Sequence, residues 1–363
     1  MKRIAVLDTA IDPRGLHCRS FHFYNFTNQK INFNTINGQI SHGTMIAKVL
    51  DLYIEKYELI NGQILTGPDQ EGEKPAGSIE HLMEALKWCK NENVDIVCIS
   101  AGSTILSDTK FLYDLVSELT KKAVIIAAMD NNGHVTIPSS YPFVLGVRAD
   151  HKQILTPGMV ARIEKDTCGA NMYANSALEI VLKNHYSPMN SIAVPIVAAR
   201  ICQKLDQGKT LQQIIREFPV YPKTDKNEMA EIAKENIRIP LILVSGYQYG
   251  QAVQFCQNLM DQLYDEYRIQ TSCLCKDDVE DIRFRMIQES NDSTAEIVFM
   301  QQHYKTELIF VVIYQKETEK EGLKNDYDIM MNINGQKALI KSDGICLERY
   351  LENVADAIYK ILS

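Results

Sequence analysis

Three polar residues stand where chemistry needs them: Asp8 in IAVLDTAID, His42 in SHGTMIAKVL and Ser191 in MNSIAVPIVAA. A serine hydroxyl alone is a poor nucleophile. It becomes effective when an imidazole takes its proton and a carboxylate fixes the tautomer of that imidazole. An Asp, a His and a Ser are therefore enough for acyl transfer, provided the fold unites positions far apart in the chain. Each also has a plainer reading: Asp8 as a turn residue, His42 as a helix opener, Ser191 as a helix cap. Taken one at a time the plainer readings lead, and the settings leave the chemical one open. Asp8 ends an apolar run, and the carboxyl ends of strands are where open α/β sheets place their sites. His42 opens the helix-like run MIAKVL, and Gly43 beside it permits close approach of backbone. Ser191 opens a second helix, where exposed N–H groups and the positive dipole end favour developing negative charge. Pro195 is expected in the first turn of that helix, which has no N–H partner to lose.

The elements that must position these residues alternate along the first half of the chain. Strands are expected at Ile4–Leu7, Val94–Ser100, Val124–Ala128 and Phe143–Val147. Between them, Ser78–Lys90 spaces Ile79, Leu82, Met83 and Leu86 as one buried helical face, with Ser78 as its N-cap. Lys110–Lys121 repeats the pattern. Alternating strands and helices imply a mostly parallel sheet covered on both sides. Small Ala193, Ala198 and Ala199 let the Ser191 helix lie close to that sheet.

From Gln203 a helix should continue and turn at FPVYPK, so the first domain is expected over 1–222. The charged stretch 223–238 reads as a linking helix. A smaller α/β domain follows over 239–363: a buried strand in IPLILVSG, a helix Gln251–Glu266, strands at Glu296–Met300, Leu308–Tyr314 and Tyr327–Asn332, and a closing helix Leu347–Leu362. The turn Gly246-x-x-x-Gly250-Gln251-Ala252 is like a phosphate loop, but it is one residue short and lacks the Lys and Ser/Thr. It reads as degenerate, and the expected role of this domain is to hold a peptide or protein partner.

The bulk properties exclude several classes. With 363 residues, 45% hydrophobic and 23% charged, the chain has the make-up of a soluble globular protein able to bury a large core. A net charge of -8 gives no footing for nucleic acid or an anionic membrane. No run approaches the roughly 18 apolar residues of a spanning helix. Met1-Lys2-Arg3 followed by IAVL is too short for an export signal. Nine cysteines, with Cys98, Cys202 and Cys256 inside apolar segments, suit reduced thiols in a cytoplasm. Cys273 and Cys275 lack a second ligand pair, so no metal is expected, nor any cofactor.

DTAID, SHGTMIA and NSIAVPIVAA resemble the three signature segments of subtilisin-like serine peptidases, the subtilases, in family order. IIAAMDNNG is similar to the strand that ends in the family's oxyanion asparagine, and IPSSYPFVLGV to the family's Tyr-Pro turn and next strand. SIEHLMEALKWCK leading into VDIVCISAGS looks like the substrate-binding edge. The resemblance covers roughly residues 2–205. It implies a subtilisin-like three-layer α/β fold and an oxyanion hole made by the Asn131 amide and the Ser191 N–H. It also implies a specificity pocket lined by Ser100, Ala101, Gly102, Ala128, Met129 and Asp130, which would bind substrate backbone as an added strand. The chain departs from the family at Ala10 (Gly), Met189 and Asn190 (Gly-Thr) and Asp130 (Gly), and none of these removes a catalytic atom. An Asp130 carboxylate facing the pocket would favour Lys or Arg at the cleaved position.

The function expected from all this is a serine endopeptidase that acts on a peptide or precursor protein, such as the leader part of a modified peptide. No inhibitory pro-domain is expected ahead of the Asp8 motif and no calcium loop is visible, so the expectation is a specialised cytoplasmic enzyme. Two further readings stay open: a catalytically silent peptide-binding scaffold, and a general intracellular degradative enzyme.

Overall fold

A computed structural model describes residues 1–27, 40–67, 75–163, 168–205, 207–222, 239–246, 248–287, 293–314 and 327–363. They divide into two compact units, the first of Met1–Thr104 and Asp108–Pro222, the second of the remainder.

The first unit is built on eight strands: β1 Lys2–Asp8, β2 Ser20–Asn25, β3 Tyr57–Gln63, β4 Ile96–Ile99, β5 Val124–Ala128, β6 Leu145–Ala149, β7 Val160–Arg162 and β8 Ala170–Ala174. They lie in the order β2-β3-β1-β4-β5-β6-β8-β7, all parallel except β7 against β8. Six helices accompany them: α1 His42–Asp51, α2 Ile79–Asn91, α3 Thr109–Thr120, α4 Glu179–Lys183, α5 Asn190–Leu205 and α6 Leu211–Glu217.

Strand side chains alternate between faces, and here both faces are buried. Ile4 and Val6 of β1, Cys98 of β4 and Ile126 of β5 join a core with Met45 and Ile46 of α1 and Ile192, Ile196 and Ala199 of α5. Ala5, Leu7, Val97 and Ile125, equally buried, point to the other face, where α2 and α3 bury Leu82, Leu86, Leu112 and Val116. The result is the expected three-layer α/β arrangement. α5 is its centre: every residue from Asn190 to Ala199 is buried.

The register gathers the site. Leu7 pairs with Ile99, and Ile99 with Ala127, so β1, β4 and β5 end at one level. Asp8, Ser100 and the segment after Ala128 therefore leave the sheet side by side at its carboxyl edge.

Several elements differ from expectation. Pro195 sits in the second turn of α5, because Met189 is the residue that accepts the first helical bonds, from Ile192 and Ala193. It cannot donate to the Ser191 carbonyl one turn earlier. The helix expected to run on from Gln203 stops at Leu205, and α6 starts anew with a capping box of Thr210 and Gln213. The strand expected at Phe143–Val147 is shifted two residues, to Leu145–Ala149. The linking helix expected over 223–238 lies outside the described residues.

The second unit holds β9 Leu241–Gly246, β10 Thr271–Cys275, β11 Phe284–Met286, β12 Leu308–Tyr314, β13 Ile329–Asn334, β14 Lys337–Ser342 and β15 Ile345–Tyr350, in the order β11-β10-β12-β9-β13-β14-β15. The sheet is parallel up to β13 and antiparallel beyond it. Helices Tyr249–Tyr267 and Val354–Leu362 pack on it through Val253, Cys256, Leu259, Val354 and Ile358. Only Gln248 and residue 247 separate β9 from its helix, and Gly250 lies inside the first helical turn.

Two expectations are overturned here. Glu296–Met300 is not a strand but the middle of a helix, Ser293–His303. Its run Ile297–Met300 is buried on all sides, so no periodicity marks it as helical. Residues 347–350 are not helix but the end of β15, and the closing helix begins only at Val354. Asp343-Gly344, with Gly344 at φ +72°, forms the two-residue turn that pairs β15 with β14.

Candidate active site

Asp8 is the last residue of β1 and fully buried. The loop it opens is fastened from three sides. Asn61 of β3 accepts from the Ile11 N–H at 2.8 Å and donates to the carbonyls of Val6 and Thr9. The Ser41 hydroxyl donates to the Ala10 carbonyl at 2.6 Å and, as N-cap of α1, accepts from the Thr44 N–H. The Gly43 N–H donates to Thr9 Oγ1 at 2.8 Å. A Cβ on Gly43 would stand 2.4 Å from the Thr9 carbonyl oxygen, so this position has room for glycine alone.

That packing sets His42, first residue of α1, over Asp8. Its Nδ1 lies 2.8 and 3.0 Å from the two carboxylate oxygens. A carboxylate only accepts, so Nδ1 carries the proton and Nε2 is left as an acceptor. Nε2 stands 3.0 Å from the hydroxyl of Ser191, the second residue of α5. The three side chains thus form one hydrogen-bonded line that ends on Ser191, a residue only 6% exposed.

The electrostatics follow from burial and pairing. Burial pushes the Asp8 carboxyl up, but the His42 charge, its hydrogen bond and the Thr9 N–H more than offset this, and the pKa is lowered. Burial pushes His42 down, and the Asp8 charge and hydrogen bond raise it further than burial lowers it. Tyr186 closes one side: its ring meets the imidazole edge-on at 5.9 Å, and its hydroxyl donates to the Ile40 carbonyl at 2.8 Å.

Asn131 lies three residues beyond β5. Its Oδ1 accepts from the Asn190 N–H, at the start of α5, at 3.1 Å. The Ser191 N–H, next in the chain, has no acceptor among the described residues. This brings the carboxamide of Asn131 to the helix end that carries Ser191.

The six expected pocket residues divide by environment. Ser100 follows β4 with its hydroxyl buried near Asp8 but outside hydrogen-bonding geometry. Ala101 and Gly102 continue it to Ser103, which pairs in both directions with Ile137 at 2.9 Å. A Cβ on Gly102 would lie 2.6 Å from Thr136 Cγ2. Ala128 and Met129 are buried, and the Met129 N–H donates to the Val147 carbonyl of β6. The Asp130 carboxylate turns into its own loop, accepting from His134 Nδ1 at 2.7 Å and from the Asn132 N–H at 2.9 Å. Burial raises its pKa, but His134 and these N–H groups bring it below the ordinary value.

Sequence reasoning passed over Tyr186, Asn61 and the tie between Asn190 and the Asn131 loop. Asn190 was visible only as a departure from the family, beside the serine. Tyr186 and Asn61 act through contacts between distant segments and leave no local signal.

The model of the subtilase family matches residues 2–272, running past Pro222 into the second unit. Among curated proteins none matches. Among solved structures, the chain is similar to the prenylagaramide maturation protease PagA, with 18% identity over 58% of this chain and 78% of that one, at a TM-score of 0.37. It is also similar to a lanthipeptide protease, with 13% identity over 59% and 78%, at 0.42.

Proposed function

The chain belongs to the subtilase family and is a serine-type endopeptidase, and on that footing we propose that Asp8, His42 and Ser191 are its catalytic triad. The observation that carries the reading is the 3.0 Å contact of His42 Nε2 with Ser191 Oγ, at the far end of an imidazole already held by Asp8. Ser191 Oγ attacks the peptide carbonyl carbon while its proton passes to Nε2. Asp8 stays ionised, holds the tautomer and stabilises the imidazolium. The negative charge on the carbonyl oxygen falls between the Ser191 N–H and the Asn131 amide, at the N-terminus of α5. His42 then returns the proton to the leaving amine, and a water activated in the same way releases the acyl group.

The substrate we assign is a dedicated precursor peptide from which a leader is removed. What favours it is the second unit, an α/β module with its own hydrophobic core, additional to the unit that carries Asp8, His42 and Ser191. Ser100–Gly102 and Ala128–Asp130 are the segments proposed to line the cleft.

The test is labelling with a fluorophosphonate probe. The native chain is expected to label and Ser191→Ala to stay blank. A native chain that stays blank, and behaves as its Ser191→Ala form does, is a scaffold and not a peptidase.

A further inference from the structure

Asn190 is 3% exposed, and its side-chain nitrogen and oxygen and its backbone N–H all find partners in segments from elsewhere in the chain. Its Nδ2 donates to the Met129 carbonyl at 3.0 Å and to the Asp130 carbonyl at 3.1 Å. Its Oδ1 accepts from the Ala149 N–H, at the end of β6, at 2.7 Å. Its backbone N–H donates to Asn131 Oδ1. One residue, adjacent to Ser191, thus joins the start of α5 to the exit of β5, the end of β6 and the Asn131 side chain.

Only a carboxamide does this. Two donors on Nδ2 meet two carbonyls, while Oδ1 on the opposite arm meets an N–H. The threonine that the family resemblance places here has a single hydroxyl and cannot span the three groups. A buried apolar residue would leave the two carbonyls and the Ala149 N–H without these bonds.

The geometric result concerns Asn131. With Oδ1 hooked on the Asn190 N–H, rotation of the carboxamide is set, and Nδ2 is the arm left to donate. Neither it nor the Ser191 N–H has an acceptor among the described residues. Donors to an oxyanion act only if they are in place before the charge forms. We propose that Asn190 is the positioning residue of this site, holding the Asn131 amide and the Ser191 N–H in register by tying their two segments to one side chain. The inference rests on the triad reading above.

The test uses the full chain, a fluorogenic peptide picked from a library by native cleavage, and the fluorophosphonate probe. Asn190→Ala is expected to lower kcat by about 10–100-fold, part of the loss seen when an oxyanion donor is removed outright. KM should stay within about twofold, because the interaction belongs to the transition state. The acid limb of the pH profile should not move, since His42 and Asp8 are untouched. In an Asn131→Ala background the same change should cost less than about threefold, because the two residues act as one unit. Asn190→Asp, which keeps the acceptor and loses both donors, should behave like Asn190→Ala.

Native kcat in the Asn190 variants overturns the proposal, as does a loss that multiplies in full with Asn131→Ala. So does failure of both variants to fold by circular dichroism, which would assign the residue to the core alone. A native chain that neither cleaves nor labels rejects the triad reading first, a different result from an active chain indifferent to Asn190.

Discussion

Gly43 and Thr9 touch so closely that no side chain fits between them: a Cβ on Gly43 would meet the Thr9 carbonyl oxygen at 2.4 Å. This contact sets the height of α1 above the end of β1, and with it the distance from His42 to Asp8. Gly43→Ala must push the two segments apart, at a cost of about 1–3 kcal/mol in stability. A shift near 1 Å in a reacting group lowers turnover about 10²-fold. Thermal unfolding and kcat together check this, and native values for both would contradict the assigned role of the contact.

The pH dependence follows from His42. As the base of the proposed triad it must be neutral, and Asp8 raises its pKa above the ordinary 6.5. Activity should therefore fall on an acid limb above pH 6.5. Asp8→Asn should move that limb down and lower kcat by about 10⁴-fold, the size known for serine peptidases. The pair also acts on stability. The His42 share is complete below 6.5 and is lost as pH rises through its raised pKa. The Asp8 share is present above the ordinary 3.8 and is lost as pH falls through its lowered pKa. A pH–rate profile and unfolding midpoints across the same range test both signs.

Asp130 accepts from His134 at 2.7 Å, so its carboxylate is already engaged by a residue of its own loop. The native chain is expected to cleave after Leu and Arg within about threefold of each other, a difference under 1 kcal/mol. His134→Ala releases the carboxylate and should raise relative turnover at Arg. Library profiling of the two proteins decides; a strong native preference for Arg would mean the carboxylate faces the substrate after all.

In the second unit, buried Glu296 pairs with Arg285 Nε, and the Arg285 guanidinium lies 4.0 Å from the centre of the Phe299 ring. Removing one partner of such a pair leaves an uncompensated charge and costs about 3–5 kcal/mol. Glu296→Ala should lower the unfolding midpoint. Replacing both partners by apolar residues should cost less than the single change.

The parts of this fold that rest on local chemistry were legible in the sequence. Ile4–Leu7 within β1, and the whole of β4 and β5, are unbroken apolar runs, and α2 repeats at helical spacing behind a capping serine that does accept from the His81 N–H. The segments carrying Asp8, His42 and Ser191 could be picked out by their likeness, in order, to the family's signature segments, since each residue alone fits a turn, a helix opening or a cap equally well. β3 was missed because two of its buried residues, Asn61 and Gln63, are polar. Asn61 ties down the Asp8 loop and Gln63 donates to the Leu65 carbonyl, and these buried polar side chains break the apolar pattern. β2 lies at the sheet edge, partly exposed, and alternates weakly. The helix at Glu296 reads as a strand because its run Ile297–Met300 is buried on all sides and shows no helical period. The β14–β15 turn, by contrast, is written plainly as Asp343-Gly344.

Tyr186 roofs one side of the imidazole, and the ring keeps 14% of its side-chain surface open. A peptide lying across Ser191 would cover much of what is left. On the proposed triad, once it is seated the proton taken from the hydroxyl would be cut off from bulk water, with the departing nitrogen as its one ready destination. Commitment to cleavage would then be shared between enzyme and substrate: the tyrosine shutters one side of the imidazole and the bound chain would shutter the other.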